Sequence, residues 1–191
     1  MYTLLLFLSL WTDILFTLLF PAKLPARDAR LTAPAAAASM EQVVWSADRR
    51  LTWDDFKAVP EAGNPHHALT AANLAVNTKC TQNSFTYQVN CVFLPTASWT
   101  KNTRSGKLLR HEQLHFDLTE VYARQLRKEL AQLNCANQKE KLKGTVRDVF
   151  ARWKTAQQAF DTACAHGLNK AEERVWAANI TKRLHALEAY K

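Results

Sequence analysis

Ser105-Gly106-Lys107-Leu108-Leu109-Arg110-His111-Glu112-Gln113-Leu114-His115-Phe116-Asp117-Leu118 opens a segment in which Leu108, Leu118, Tyr122, Leu126, Leu130 and Leu133 recur at helical spacing. That spacing predicts a helix from about Ser105 to Leu133. After it, Gly144 is expected to separate a second helix with the stripe Val146, Val149, Phe150, Trp153, Phe160 and Cys164. Gly167 is expected to end that helix as a left-handed cap. Asn169 with Glu172 resembles a capping box opening a third, whose stripe is Trp176, Ile180, Leu184 and Leu187. No proline follows Pro95, so this half lacks the turn punctuation of a sandwich or barrel. Upstream, Ala71 to Lys79 and Phe85 to Leu94 alternate as strands around the turn Thr81-Gln82-Asn83-Ser84, with Val43-Val44-Trp45 as a shorter strand. Trp53-Asp54-Asp55-Phe56 reads as a helical turn. The predicted class is α+β, a small N-terminal antiparallel sheet packed on about three C-terminal helices.

Within the first helix, His111-Glu112-Gln113-Leu114-His115 is an H-E-x-x-H motif. Positions four apart lie about 40° apart around a helix and about 6 Å along it, so both imidazoles can reach one ion. Zn2+ suits two such nitrogens, and Glu112 between them can take a proton from water. Both histidines fall on the apolar side with Leu108, Leu118 and Tyr122, a position that calls for a reason. Catalytic zinc takes three protein ligands as a rule. His166 is the leading third candidate, and Asp161, one turn earlier, is the alternative as ligand or ligand orienter. Glu120 lies about 140° around from His115 and is expected to pair with Arg124 or to act behind the ligands. His66, His67 and His185 read as surface residues.

The formal charge of +8 is interleaved with acids and leucines and reads as a solvated face, so no nucleic-acid partner is expected. Residues 1–39 read as an export signal or membrane anchor followed by an Ala/Pro linker, and residues 40–191 as one catalytic domain. Met1 to Phe20 is almost wholly apolar, and Ala36-Ala37-Ala38 offers a cleavage site. Asp13 interrupts the run, no basic residue precedes it, and Lys23, Arg27 and Arg30 follow it, so cleavage and anchoring both stay open. Four cysteines after such a leader favour disulfides over buried thiols. Of three possible pairings, Cys80 with Cys91 would tie the hairpin and Cys135 with Cys164 would tie two helix ends. The expected location is secreted or periplasmic, with the membrane touched only through the N-terminal segment if it stays as an inner-membrane anchor.

Trp45-x5-Leu51-x-Trp53-x-Asp55-Phe56, Ser98-Trp99, Leu108-Leu109-x-His111-Glu112-Gln113-x-His115-Phe116-Asp117 and Phe160-Asp161-x4-His166-Gly167, with a later Trp176, occur in that order. Together they resemble a bacterial domain of unknown function also described as predicted secreted zinc-dependent proteases. The resemblance covers nearly all of residues 42–187. Phe160 stands where it leads one to expect tyrosine. It implies a zincin-like metallopeptidase fold and leaves the substrate open.

The expected activity is zinc-dependent peptide hydrolysis by a monomer, on a peptide or protein substrate that the strand Phe85 to Leu94 could align. Glu112 would serve as the base. The alternative is a non-catalytic envelope binding module whose zinc, if any, is structural. An oxyanion donor is not identifiable from the sequence; Tyr122 and Arg124 are merely near.

Overall fold

The helix α1, Gly106–Leu130, is the axis of the fold, and Ser105 caps it by accepting a hydrogen bond from the Leu108 backbone N–H at 3.2 Å. The computed structural model describes residues 41–191, so the signal or anchor and linker expected over 1–39 lie outside the described residues. Leu118, Val121, Ala123, Leu126 and Leu130 are wholly buried, as are the polar Thr119 and Arg124 to within 1%. A helix buried nearly all round must have neighbours on every side. They are the sheet on one face and two further helices on the other.

The sheet is antiparallel, with β4 (Ser84–Phe93) between β1 (Val43–Val44) and β3 (Ala72–Thr81). Register runs from Ala72 opposite Phe93 to Thr81 opposite Ser84. Gln82 and Asn83 both have positive φ, 49° and 67°, the conformation a two-residue hairpin of matching twist requires. As the alternation predicts, Val89 and Cys91 point into the core, with Phe85 and Tyr87 half-buried on the same face. A second, two-stranded sheet pairs β2 (Ala68–Leu69) with β5 (Trp99–Thr100). Trp53–Asp55 forms one 3-10 turn, which Asp55 caps through the Thr52 N–H at 2.8 Å.

Two helix boundaries differ from expectation. Helix α2 spans Gln138–Cys164, so Gly144 sits inside it and separates nothing. The break before α2 is made by asparagines instead. Asn134 Oδ1 accepts from the N–H groups of Ala136 and Asn137, and Asn137 Oδ1 from that of Asn134, which satisfies backbone donors without a helix. At the other end the left-handed turn starts before Gly167. Ala165, His166 and Gly167 all have positive φ, at 45°, 51° and 84°. Helix α3, Lys170–Ala186, follows, and Asn169 accepts from Glu172 N–H as its predicted cap.

The cysteine pairing is also different. Cys80 bonds Cys135, while Cys91 and Cys164 are buried free thiols. The hairpin register explains this. Cys80 lies opposite Phe85 near the exposed turn, whereas Cys91 lies opposite Leu74 at the buried end, its thiol facing the Phe116 carbonyl. Cys135 is in the loop after α1, and Cys164 ends α2, a helix of 27 residues away. On β4, β3 pairs along the whole of one edge, whereas β1 pairs the other only at Val92 and Phe93, so among the described residues no strand covers that second edge from Phe85 to Asn90.

Candidate metal centre

On α1, His111 and His115 turn the same way, and α2 lays Asp161 across them. Asp161 Oδ1 is 3.2 Å from His111 Nε2 and 3.1 Å from His115 Nε2. Among the described residues these three form the group whose ligand atoms lie within 4.8 Å of one another. His111 is buried, His115 nearly so, and Asp161 is about one-third exposed at 32%, so the site opens on the carboxylate side. Phe160 forms its floor, stacked on His111 at 4.7 Å between ring centroids and edge-on to His115 at 4.8 Å.

The donor set fits a small divalent ion. Tetrahedral coordination with bonds of about 2.0–2.1 Å places ligand atoms about 3.3 Å apart, close to the separations across Asp161. The far ring nitrogens are prepared for it. Gln157 donates its amide to the His115 carbonyl and to Thr119 Oγ1, which leaves its Oε1 to accept from His115 Nδ1 at 2.6 Å. That contact holds the proton on Nδ1 and frees the Nε2 lone pair. His111 Nδ1 is buried without a conventional hydrogen bond and faces Glu173 Oε2 at 3.4 Å. Outer partners of this kind fix the tautomer and orientation of ligating histidines.

Asp161 balances the charge of the two imidazoles. Burial opposes its ionisation, but hydrogen bonds from His111 and His115 outweigh that and hold its carboxyl far below the ordinary range. For His115, burial disfavours the imidazolium, and the Asp161 hydrogen bond and Glu112 charge more than compensate, raising its pKa. Glu112, whose charge contributes to that shift, is itself buried at 4% exposure. Its backbone carbonyl accepts from Thr70 Oγ1 at 3.3 Å, which ties β2 to the motif.

Of the sequence-predicted residues, His111, His115 and Asp161 come together, with Glu112 buried on the same helix. His166 does not join the ligand group, although it was the leading third ligand. Its Nδ1 is 3.4 Å from Asp161 Oδ1 and its side chain is 57% exposed, stacked edge-on against His66. The physical reason is the left-handed turn at Ala165–Gly167, which carries His166 past the two imidazoles while seating Gly167 on His111. A Cβ on Gly167 would lie 3.2 Å from His111 Cγ. Glu120 is elsewhere, bonded to Arg124 Nε at 3.0 Å and Arg127 Nη1 at 2.9 Å. Tyr122 and Arg124 are buried against other partners. The sequence reading missed Gln157 and Glu173. Gln157 had a signal, since it precedes Asp161 by one helical turn and so shares its face. Glu173 had none, because only tertiary packing brings α3 behind His111.

The protein is thus an α+β domain that carries a His-His-Asp cluster between α1 and α2. The chain belongs to a family of bacterial proteins of unknown function, DUF922, whose model matches residues 52–167, more than half of the chain. No curated protein and no solved structure matches it.

Proposed function

We propose that the protein is a zinc-dependent peptidase of zincin-like architecture, with His111, His115 and Asp161 holding the ion and Glu112 as general base. One observation carries this reading. Three ligand atoms, of His111, His115 and Asp161, converge within 4.8 Å of one another, with the far nitrogens of the two imidazoles already hydrogen-bonded or faced by an acid, inside a motif whose buried Glu112 no ligand role requires. Bound zinc would supply Lewis acidity and lower the pKa of water to about 7. Glu112 then takes the proton of the attacking water and returns it to the leaving amine. Asp161 and the tautomer-fixing Gln157 and Glu173 keep the two imidazoles aimed. His166 and His66 flank the open side, where a substrate carbonyl would enter. The edge suited to an extended peptide is β2, which the described residues pair only with β5 and which Thr70 links to Glu112. Hydrolysis outside the cytoplasm is consistent with the exposed Cys80–Cys135 disulfide and with the apolar N-terminus.

The test is zinc content and peptide hydrolysis of the purified full chain. Wild type should hold one zinc per chain. Glu112→Gln should retain it and lose about 10²–10⁴-fold in hydrolysis. Full zinc with no hydrolysis of any peptide would favour the alternative, an envelope binding module with structural zinc; no zinc at all would end the metal reading.

A further inference from the structure

Behind the metal centre, on the Glu173 side of His111, a cavity of about 800 Å³ lies between α1, α3 and the loop after β1. Its walls are apolar where Leu114, Ala177, Ile180 and Leu184 meet, and charged elsewhere. Every acid in it is engaged. Asp117 accepts from Trp45 Nε1 and Gln113 at 2.8 Å each and from Arg50 at 3.0 Å. Glu188 accepts from Arg124 at 2.7 Å, and Glu173 faces His111 at 3.4 Å. The cations are not balanced in the same way. Among the described residues, neither Arg110 nor Arg174 has a hydrogen-bond or ion-pair partner, and both line the cavity.

The surroundings of those two arginines are also cationic. Lys107 and Lys170 stand beside them, and the neighbouring Lys107 ammonium, with the charges of Arg110 and Arg174 adding to it, lowers the Lys170 pKa. Like charges held together cost free energy, which an anion at that point would return. Guanidinium groups match carboxylates in shape as well as charge. An oxyanion binder built only for polyphosphate would not need the apolar walls, whereas a cavity in this volume range suits a compact ligand with an apolar body.

We propose that this cavity binds a small ligand or short peptide that bears a carboxylate on an apolar body, with Arg110 and Arg174 receiving the carboxylate. The site is separate from the metal centre and does not rest on the peptidase reading.

The experiment is calorimetric titration of full-length Glu112→Gln protein, which keeps the probes intact, at low ionic strength. The probes are acetyl-Leu-Ala-Leu with a free C-terminal carboxylate, the same peptide as its amide, and inorganic phosphate. The acid should bind saturably and at least tenfold more tightly than the amide, with phosphate weaker than the acid. Arg110→Gln/Arg174→Gln should bring the acid down to the amide, without change in zinc content or melting. A control with equal charge loss on α2, Lys143→Gln/Lys154→Gln, should bind as the parent does. Four results would each overturn the assignment: no saturable binding of the acid, equal binding of acid and amide, indifference to the arginine changes as a carboxylate held at the metal would show, or an equal loss in the control. Saturable binding of phosphate alone would overturn it in favour of a phosphate-bearing ligand.

Discussion

Asp161 Oδ1 touches both imidazoles, whereas His166 is in contact with Asp161 and not with them. Metal affinity should therefore divide two residues that the sequence could not. Asp161→Asn replaces a charged ligand by a neutral amide and should weaken zinc by more than the roughly 10–100-fold typical of losing an outer partner. His166→Ala should stay within about threefold of wild type, as read by competition with a chelator. A large loss in His166→Ala with retention in Asp161→Asn would restore the histidine as ligand. The H-E-x-x-H pair was legible because four residues on one helix meet by local geometry alone. The third ligand was not, because Asp161 and His166 lie five positions apart across a left-handed turn. Whether the carboxylate or the imidazole arrives depends on φ at Ala165 and His166, two non-glycine residues whose turn no local rule foretells.

At the scale of elements, periodicity located all three helices and the long hairpin, since amphipathic faces are written directly in residue order. Boundaries set by glycine were less secure. Gly144 was read as a break, yet it occupies an interior turn of α2 with nothing within 4 Å of an added Cβ. Gly144→Ala should accordingly stabilise the protein by about 0.5–1 kcal/mol, measured by urea unfolding, because alanine loses less backbone freedom in a helix. The charged interior of α1 was anticipated only in part. Glu120 was expected to pair with Arg124, and in addition it anchors Arg127, whose other nitrogens bond the Val89 carbonyl of β4. The carboxylate thus links α1, the sheet and, through Arg124, the end of α3 at the Leu184 carbonyl. Glu120→Gln would leave Arg124, 1% exposed, with only the exposed Glu188 as counter-charge, and should cost about 1.5–3 kcal/mol. That loss should appear in unfolding while zinc stoichiometry stays unchanged, since Glu120 takes no part in the ligand group.

For the molecule as a whole, composition identified a domain built from one core, but which distant segments meet was decided by packing. The cysteines show it most directly. Hairpin register puts Cys91 in the core and Cys80 at the exposed tip, so the only thiol that can reach Cys80 comes from the loop joining α1 to α2. The resulting bond spans 55 residues and clamps the hairpin tip to the loop after the far end of α1. Loop closure of that length removes unfolded-state entropy worth about 4 kcal/mol. Cys80→Ser, Cys135→Ser and reduction of wild type should each lower stability by about that amount, and reductant should have no further effect on either variant. The two remaining thiols behave differently. Burial raises the Cys91 pKa well above its ordinary value, and burial with the charges of Glu173, Glu172 and Asp161 pushes Cys164 up to about 11. A raised thiol pKa means less thiolate at every pH below it, so alkylation at pH 8 should label neither in the native protein. Two thiols should then react per chain once denaturant is added, and four after reduction. One or more labelled in the native state, mapped to its cysteine, would overturn the burial of Cys91 or Cys164 or the Cys80–Cys135 link.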